Sequence, residues 1–304
     1  MKVFTHNFNP KSNSGPNKFS RTLFSRLIQD NKVTLVDNQQ EADVEFCLIQ
    51  QQAHKVKPML LRLDGIWFNS EQDYNTQNAP IKFSYNNADA VVFQSEFNKK
   101  LTEHWFGEHK NSFVIRNSSD ERLIDKIDKK IWNERLGYPE EVWSCASSWR
   151  PHKRLNDNIN YFLKFAPENA ILAVAGKDAS IDNLDIRKNK RIFFLGEIDY
   201  LSLLSLYKIS STFIHLAYLD HCPNVVADAQ ASGCHVVCSS TGGTSEIVYK
   251  GTIIIEDVWD YSPIPLYKPP KIDFYKSVNV DFLNRKTTMT ECSKDYLKVM
   301  EGIK

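Results

Sequence analysis

A few short stretches of this 304-residue sequence hold side chains that could do chemistry. In "DHCPNVVADA" two carboxylates, Asp220 and Asp228, stand eight positions apart, separated by a proline, an asparagine and a short apolar run. Carboxylates accept hydrogen bonds from hydroxyl groups. In "SSWRPHKRL", Arg150 and Lys153 place two cations where they could neutralise a diphosphate. "NPKSNSGPNKFSR" offers Gly15, where backbone can approach a ligand closely, followed by Pro16 and Asn17, which suit the opening of a helix. "LRLDGIWF" sets Asp64 before Gly65, and "SSTGGTSEIV" supplies Gly242 and Gly243. Taken alone, each also fits a surface turn, an Asp-Gly turn or a solvated basic loop.

What makes them a set is where the surrounding pattern puts them. Short, continuously apolar runs read as strands: "KVFTH", "VTLV", "VEFCLI", "PMLLRLD", "AVVFQ" and "SFVIRN" in the first part. Later come "VWSCASS", "AILAVAG", "RIFFLG", "TFIHLA", "HVVCSS" and finally "GTIII". Amphipathic runs between them read as helices: "NKFSRTLFSRLIQD", "PIKFSYNNA", "SEFNKKLTEHWF" with Ser95 as N-cap, "LNDNINYFLKFA", "YLSLLSLYKIS" and "NVVADAQAS". Continuously apolar strands alternating with helices imply a parallel sheet covered on both faces. The rhythm breaks from about Asp120 to Val142, a charged helical region, and then restarts, which predicts two α/β domains with a boundary near Asn117 to Val142. "YSPIPLYKPPKID" reads as an irregular connection and "TECSKDYLKVMEGIK" as a terminal helix. In open parallel sheets ligands bind at the carboxyl ends of strands, where helix N-termini attract phosphate. All the stretches above fall there, in both halves. They suit a phosphate-bearing ligand in a cleft between the domains.

Composition excludes several classes. With 42% hydrophobic and 25% charged residues, the chain has the balance of a soluble globular protein. A net charge of +1 argues against a strongly electrostatic nucleic-acid binder. The cysteines (47, 145, 222, 234, 238 and 292) form no CxxC pair and sit in apolar stretches. They read as buried thiols in a reducing compartment, and His221-Cys222 with Cys234-His235 is a poor zinc match. No signal peptide or transmembrane run is evident, so a cytoplasmic protein is expected.

The segment "LDHCPNVVADAQASGCHVVCSSTGGTSEIV" resembles the signature of GT-B-fold retaining glycosyltransferases, family 4 (glycosyl transferases group 1). In that family a Glu, seven residues and a second Glu precede a small-residue helix end, a strand and a Gly-Gly-x-x-Glu turn. "SSWRPHKRL" resembles its diphosphate clamp, "FFLGEIDYLSLLSLY" its nucleotide-side loop, and "ADAVVFQSEF", "VIRNSSD" and "SGPNKFSRTL" pieces of its first domain. The resemblance implies two Rossmann-like parallel-sheet domains facing a cleft. Residues 1–118 would form the acceptor-side domain, with the helix 288–304 packing back on it, and residues 119–287 the nucleotide-sugar domain. The implied activity is metal-independent transfer of a hexose or pentose from a nucleotide-diphosphate sugar to a carbohydrate or other hydroxyl acceptor, with retention and no cofactor.

Residue by residue, the resemblance implies that Asp228 accepts hydrogen bonds from ribose hydroxyls. Asp220, with the backbone of Pro223, Asn224 and Val225, faces the donor sugar and phosphates. Arg150 and Lys153 bind the diphosphate and stabilise the leaving group. Gly15 and Pro16 admit the diphosphate and acceptor, Asp64 orients or deprotonates the acceptor hydroxyl, and Gly196 and Glu197 lie near the base. This sequence departs from the family in having aspartates for both glutamates, shorter by about 1.5 Å of reach. Two other readings compete: a non-catalytic nucleotide-sugar or glycan-binding module, and transfer to modified nucleic-acid bases.

Overall fold

A computed structural model describes residues 1–129, 131–179, 184–282 and 288–304. Its first part contains β1 (Lys2–His6), α1 (Gly15–Gln29), β2 (Thr34–Leu35), β3 (Val44–Leu48), β4 (Met59–Leu63), α2 (Tyr74–Asn87), β5 (Ala90–Phe93), α3 (Glu96–Phe106) and β6 (Ser112–Val114). Short helices α4 (Glu121–Ile124) and α5 (Ile131–Arg135) lead to β7 (Glu141–Ala146), α6 (Leu155–Phe165), β8 (Ala170–Ala175), α7 (Leu184–Lys188) and β9 (Ile192–Gly196). Then follow α8 (Tyr200–Ile209), β10 (Ser210–His215), α9 (Asn224–Ala231), β11 (His235–Ser239), α10 (Thr244–Ile247), β12 (Lys250–Ile254), β13 (Ser277–Asp281) and α11 (Met289–Ile303).

The strands form two sheets. The first is all parallel, ordered β2-β1-β3-β4-β5-β6. The second runs β13-β12-β11-β10-β7-β8-β9 and is parallel except for β13. Alternate residues of a strand point to opposite faces, and both faces are buried. On β4, Leu60 packs with α1 and α11, whereas Met59, Leu61 and Leu63 pack with α2 and α3. On β7, Val142 and Ala146 join the layer of α8 and α9, while Trp143 and Cys145 join that of α6.

Two expectations are corrected. The helix containing "PIKFSYNNA" starts six residues before Pro80, because the Asp73 carboxylate caps the Thr76 amide at 3.1 Å and nucleates the helix there. Pro80 is therefore inside α2 rather than at its first turn. "GTIII" is not the last strand: β13 pairs antiparallel with β12 from Ser277 to Asp281. Its sequence, SVNVD, lies mostly exposed at the sheet edge, so it carries no continuous apolar run.

Three features join the halves. The chain crosses to the second sheet beside the point where it returns, with Ser119 bridged to Thr288. The buried Arg26 of α1 holds this crossing through Asp120 at 2.6 Å and Glu121 at 2.7 Å, and also binds Thr290. Burial opposes the charge of Glu121, but hydrogen bonds from Thr290 and Arg26 bring its carboxyl down to about 2. The last helix, α11, packs on α1, with Tyr296 against Phe19 at 5.8 Å. Finally, the irregular Pro-rich connection after β12 lies across the first half. There Trp105 Nε1 donates to the Tyr261 carbonyl at 2.8 Å and the Ser70 amide to Ile264 at 2.9 Å.

Candidate active site

Between the two sheets lies a cleft of about 500 Å³, lined from both by loops that follow strands. The first turn of α1 contributes Gly15 and Pro16, the end of β4 contributes Asp64, and the turn after β7 contributes Arg150 and Lys153. The β10–α9 loop contributes Asp220 and Pro223, and the first turn of α9 contributes Asn224 and Val225. These sequence-predicted residues, scattered over more than 200 positions, are thus brought to one place.

Two helix N-termini meet in it. Neither α1, preceded by Ser14, nor α9, preceded by Pro223, has a side-chain cap on its first-turn amides. Asn224 Nδ2 donates to the Gly15 carbonyl at 2.9 Å, joining one end to the other. First-turn amides have no partner within the helix, and the aligned peptide dipoles make each end positive. Such a pair, with Arg150 and Lys153 beside it, is built for an anion.

The carboxylate of Asp220 is drawn to the cations. Its Oδ2 lies 2.5 Å from Lys153 Nζ and 2.9 Å from His215 Nε2, while Oδ1 has no partner among the described residues. Burial opposes its charge, yet Lys153 and His215 hold it well below the usual carboxylate range. Burial likewise holds His215 below its ordinary value, with Asp220 offsetting part of that, so the imidazole is neutral near pH 7 and donates through Nε2. Arg150 is exposed on the cleft and makes no ion pair among the described residues.

The glycines beside this loop have a clear physical role. Gly242 sits at φ 77° and pairs with Asp220; a Cβ there would lie 2.4 Å from the Asp220 carbonyl oxygen. The Gly243 amide donates to that carbonyl at 2.7 Å. The Gly-Gly turn therefore shapes the Asp220 loop from behind. Glu246, further along, accepts from the Glu96 and Phe97 amides at 2.8 and 2.7 Å, capping α3 of the first half.

Asp64 is fixed by residues that a reading of the sequence did not single out. The guanidinium of Arg62, fully buried on β4, binds the Asp64 carboxylate and donates to Asn117 Oδ1 at 2.8 Å, with its central carbon 4.1 Å from the centre of the Phe19 ring. Gln94 donates to the Asp64 carbonyl at 2.6 Å. Asn117 Nδ2 lies 2.9 Å from the Gln94 side chain, the Cys222 carbonyl and Asn224 Oδ1, tying this shelf to the opposite wall. The signal for Arg62 was present in "PMLLRLD": an ionised side chain inside a continuously apolar strand needs a partner.

Three expected positions differ. Asp228 does not line the cleft. It lies one turn into α9 and is buried with both oxygens engaged: Lys18 at 2.9 Å on Oδ2, Ser119 at 2.7 Å and Tyr200 at 3.2 Å on Oδ1. Gly196 and Glu197 are exposed and also do not line it, because β9 is the outermost strand of its sheet. Among the described residues, no group of three His, Cys, Asp or Glu side chains is arranged to hold a metal ion, and no helix is long and apolar enough to cross a membrane.

Comparison with known proteins agrees with this architecture. No curated protein matches the chain. A sucrose-phosphate synthase from Thermosynechococcus elongatus superposes with a TM-score of 0.66 at 12% identity, covering 100% of this chain and 96% of that one. HepE from Anabaena, in complex with UDP-glucose, gives 0.62 at 16%, covering 100% and 98%. A glycosyltransferase from Rickettsia africae gives 0.66 at 11%, covering 100% and 98%. Residues 139–259 match the family described as Glycosyl transferases group 1. The chain thus has the GT-B fold, and residues 139–259 are similar to the glycosyl transferases group 1 family.

Proposed function

We propose that the protein transfers a sugar, a hexose or pentose, from a nucleotide-diphosphate donor to a hydroxyl acceptor, with retention and without a metal. One observation carries this reading: two uncapped helix N-termini, one from each half, converge with Arg150 and Lys153 on a single cleft. That arrangement suits a diphosphate. The similarity to the group 1 family and the nucleotide sugar bound to HepE point the same way.

In this reading the bond between the anomeric carbon and the diphosphate oxygen breaks and its electron pair stays on the diphosphate, while the acceptor oxygen bonds to the anomeric carbon from the same face and its proton passes to the departing diphosphate. Arg150 and the amides of Asn224 and Val225 meet the charge that develops there, while Gly15 and Pro16 close over it. Lys153, paired with Asp220 on the cleft wall, divides its charge between that carboxylate and the leaving group. The open Oδ1 of Asp220 receives a hydroxyl of the donor sugar. Asp64, held by Arg62 and Gln94, accepts a hydrogen bond from the acceptor hydroxyl and orients it. The six cysteines are buried free thiols, which supports a cytoplasmic setting.

A thermal-shift screen tests the donor assignment. UDP, GDP, ADP, CDP and their sugars are added in turn, and a ligand of the native state raises Tm by mass action. A rise with one base, larger for one of its sugars, is expected. No rise with any nucleotide would overturn the reading. A second reading, a binding module without turnover, draws on Asp220 and Asp228 each being paired with a lysine of the protein itself, Lys153 and Lys18. Release of free sugar or product from the donor that raises Tm separates it from the first.

A further inference from the structure

We propose that Lys18 sets nucleotide affinity by competing with the ribose for Asp228. This rests on the donor reading above. Lys18 is the fourth residue of α1, on the wall opposite Asp228 and 210 residues from it, and its side chain lines the cleft. Its ammonium reaches across the halves to Asp228 Oδ2 at 2.9 Å and lies 3.5 Å above the centre of the Tyr200 ring. Ser119 and Tyr200 share the other oxygen. The space left among these groups is about 10 Å³, enough for about one water and too little for a ribose.

Of the three partners, Lys18 is the one that can leave. Ser119 belongs to the chain crossing, pinned by its bridge to Thr288, and Tyr200 opens α8. Lys18 hangs on a flexible four-carbon stem whose ammonium, once released, stays in an open cleft. Its departure exposes the oxygen that a ribose hydroxyl would use. The free protein thus holds the seat with a side chain, and a nucleotide must displace it. An ammonium beside an anion-binding cleft ordinarily helps anions to bind. Competition predicts the opposite sign for a nucleotide, which makes the two roles separable.

The test is calorimetric titration of wild type and Lys18→Met with UDP, GDP, ADP and CDP, and with inorganic diphosphate, which has no ribose. For the nucleotide that binds, Lys18→Met should bind about fivefold tighter. Inorganic diphosphate should bind equally or more weakly. The double variant Lys18→Met/Asp228→Asn should lose the gain, because the seat itself is altered. Lys18→Gln, which keeps a hydrogen-bond donor to Asp228 and so protects folding, should show a smaller gain. Equal or weaker nucleotide binding in Lys18→Met overturns the competition while leaving the donor reading intact. Binding of no nucleotide by either form overturns both. Binding only by Lys18→Met is the strongest support.

Discussion

Asp220 and Asp228 are the same residue type eight positions apart, yet the fold treats them oppositely. Asp220 sits in a loop, shaped from behind by Gly242 and Gly243, and one of its oxygens has no partner among the described residues. Asp228 sits in α9, buried, with both oxygens engaged by groups from three separate elements. A loop carboxylate at a strand end stays available to a ligand, whereas one on a helix between two sheets becomes part of what joins them. Motif spacing alone cannot make this distinction, because it depends on which side chains arrive from elsewhere.

The largest test of the contrast is on turnover. Removing a cation from the Asp220 side should lower it about a hundredfold, in Arg150→Ala as in Lys153→Ala, with the fold intact, as loss of charge stabilisation in the transition state does. Steady-state kinetics with unchanged circular dichroism checks this; wild-type-like rates in both variants would remove the clamp from the mechanism. Stability should show the reverse asymmetry. Asp228→Ala breaks a buried ion pair and strands Ser119 and Tyr200, at a cost of about 3 kcal/mol. Asp220→Ala should cost less, because its carboxylate is less buried and only His215 is stranded with Lys153, which like Lys18 lines the cleft. Denaturant unfolding of the two variants measures the difference, and an equal loss would erase the contrast. Gly242→Ala should cost about 2 kcal/mol, since the left-handed backbone and the Asp220 carbonyl both oppose a Cβ. It should also lower donor affinity by moving the Asp220 loop; a change in stability without a change in affinity would separate the turn from the site.

The same contrast explains what could be read from the sequence. Continuous apolar strands announced the parallel sheets, because burial on both faces leaves no alternation to misread. β13 escaped because an exposed antiparallel edge strand follows a different pattern, and the start of α2 escaped because Pro80 looked like a first-turn residue while Asp73 does the capping. Candidate residues at strand ends converge on the cleft because strand ends share an edge of each sheet. Gly196 and Glu197 lie at a strand end too, but the order of strands, which places β9 outermost, is not written locally. Lys18, Arg62, Asn117 and His215 went unnoticed for a related reason. What each one does depends on a partner placed by folding, up to 210 residues away for Lys18, although Arg62 was an anomaly in its own strand.

The smallest expected effect lies one step behind Asp228, at the crossing that delivers Ser119 to it. Glu121 holds this crossing through Arg26 and Thr290 and accepts from the Met289 amide at 3.0 Å. Although burial disfavours its charge, those hydrogen bonds lower its carboxyl from an ordinary 4.5 to about 2. A group depressed in the folded state stabilises when ionised. Its contribution is therefore complete above pH 4.5 and fades as pH falls toward 2. Because Glu121 is partly exposed, the contribution is on the order of 1 kcal/mol. Glu121→Gln should accordingly be less stable than wild type at pH 7, and the gap should close between pH 4.5 and 2. Melting curves of the two proteins across that range provide the check. If the gap stays constant with pH, the loss belongs to packing rather than to charge. If Glu121→Gln instead lowers stability and leaves the Lys18→Met effect on nucleotide affinity unchanged, the crossing and the Asp228 seat are independent. A joint shift would mean that Ser119 transmits one to the other.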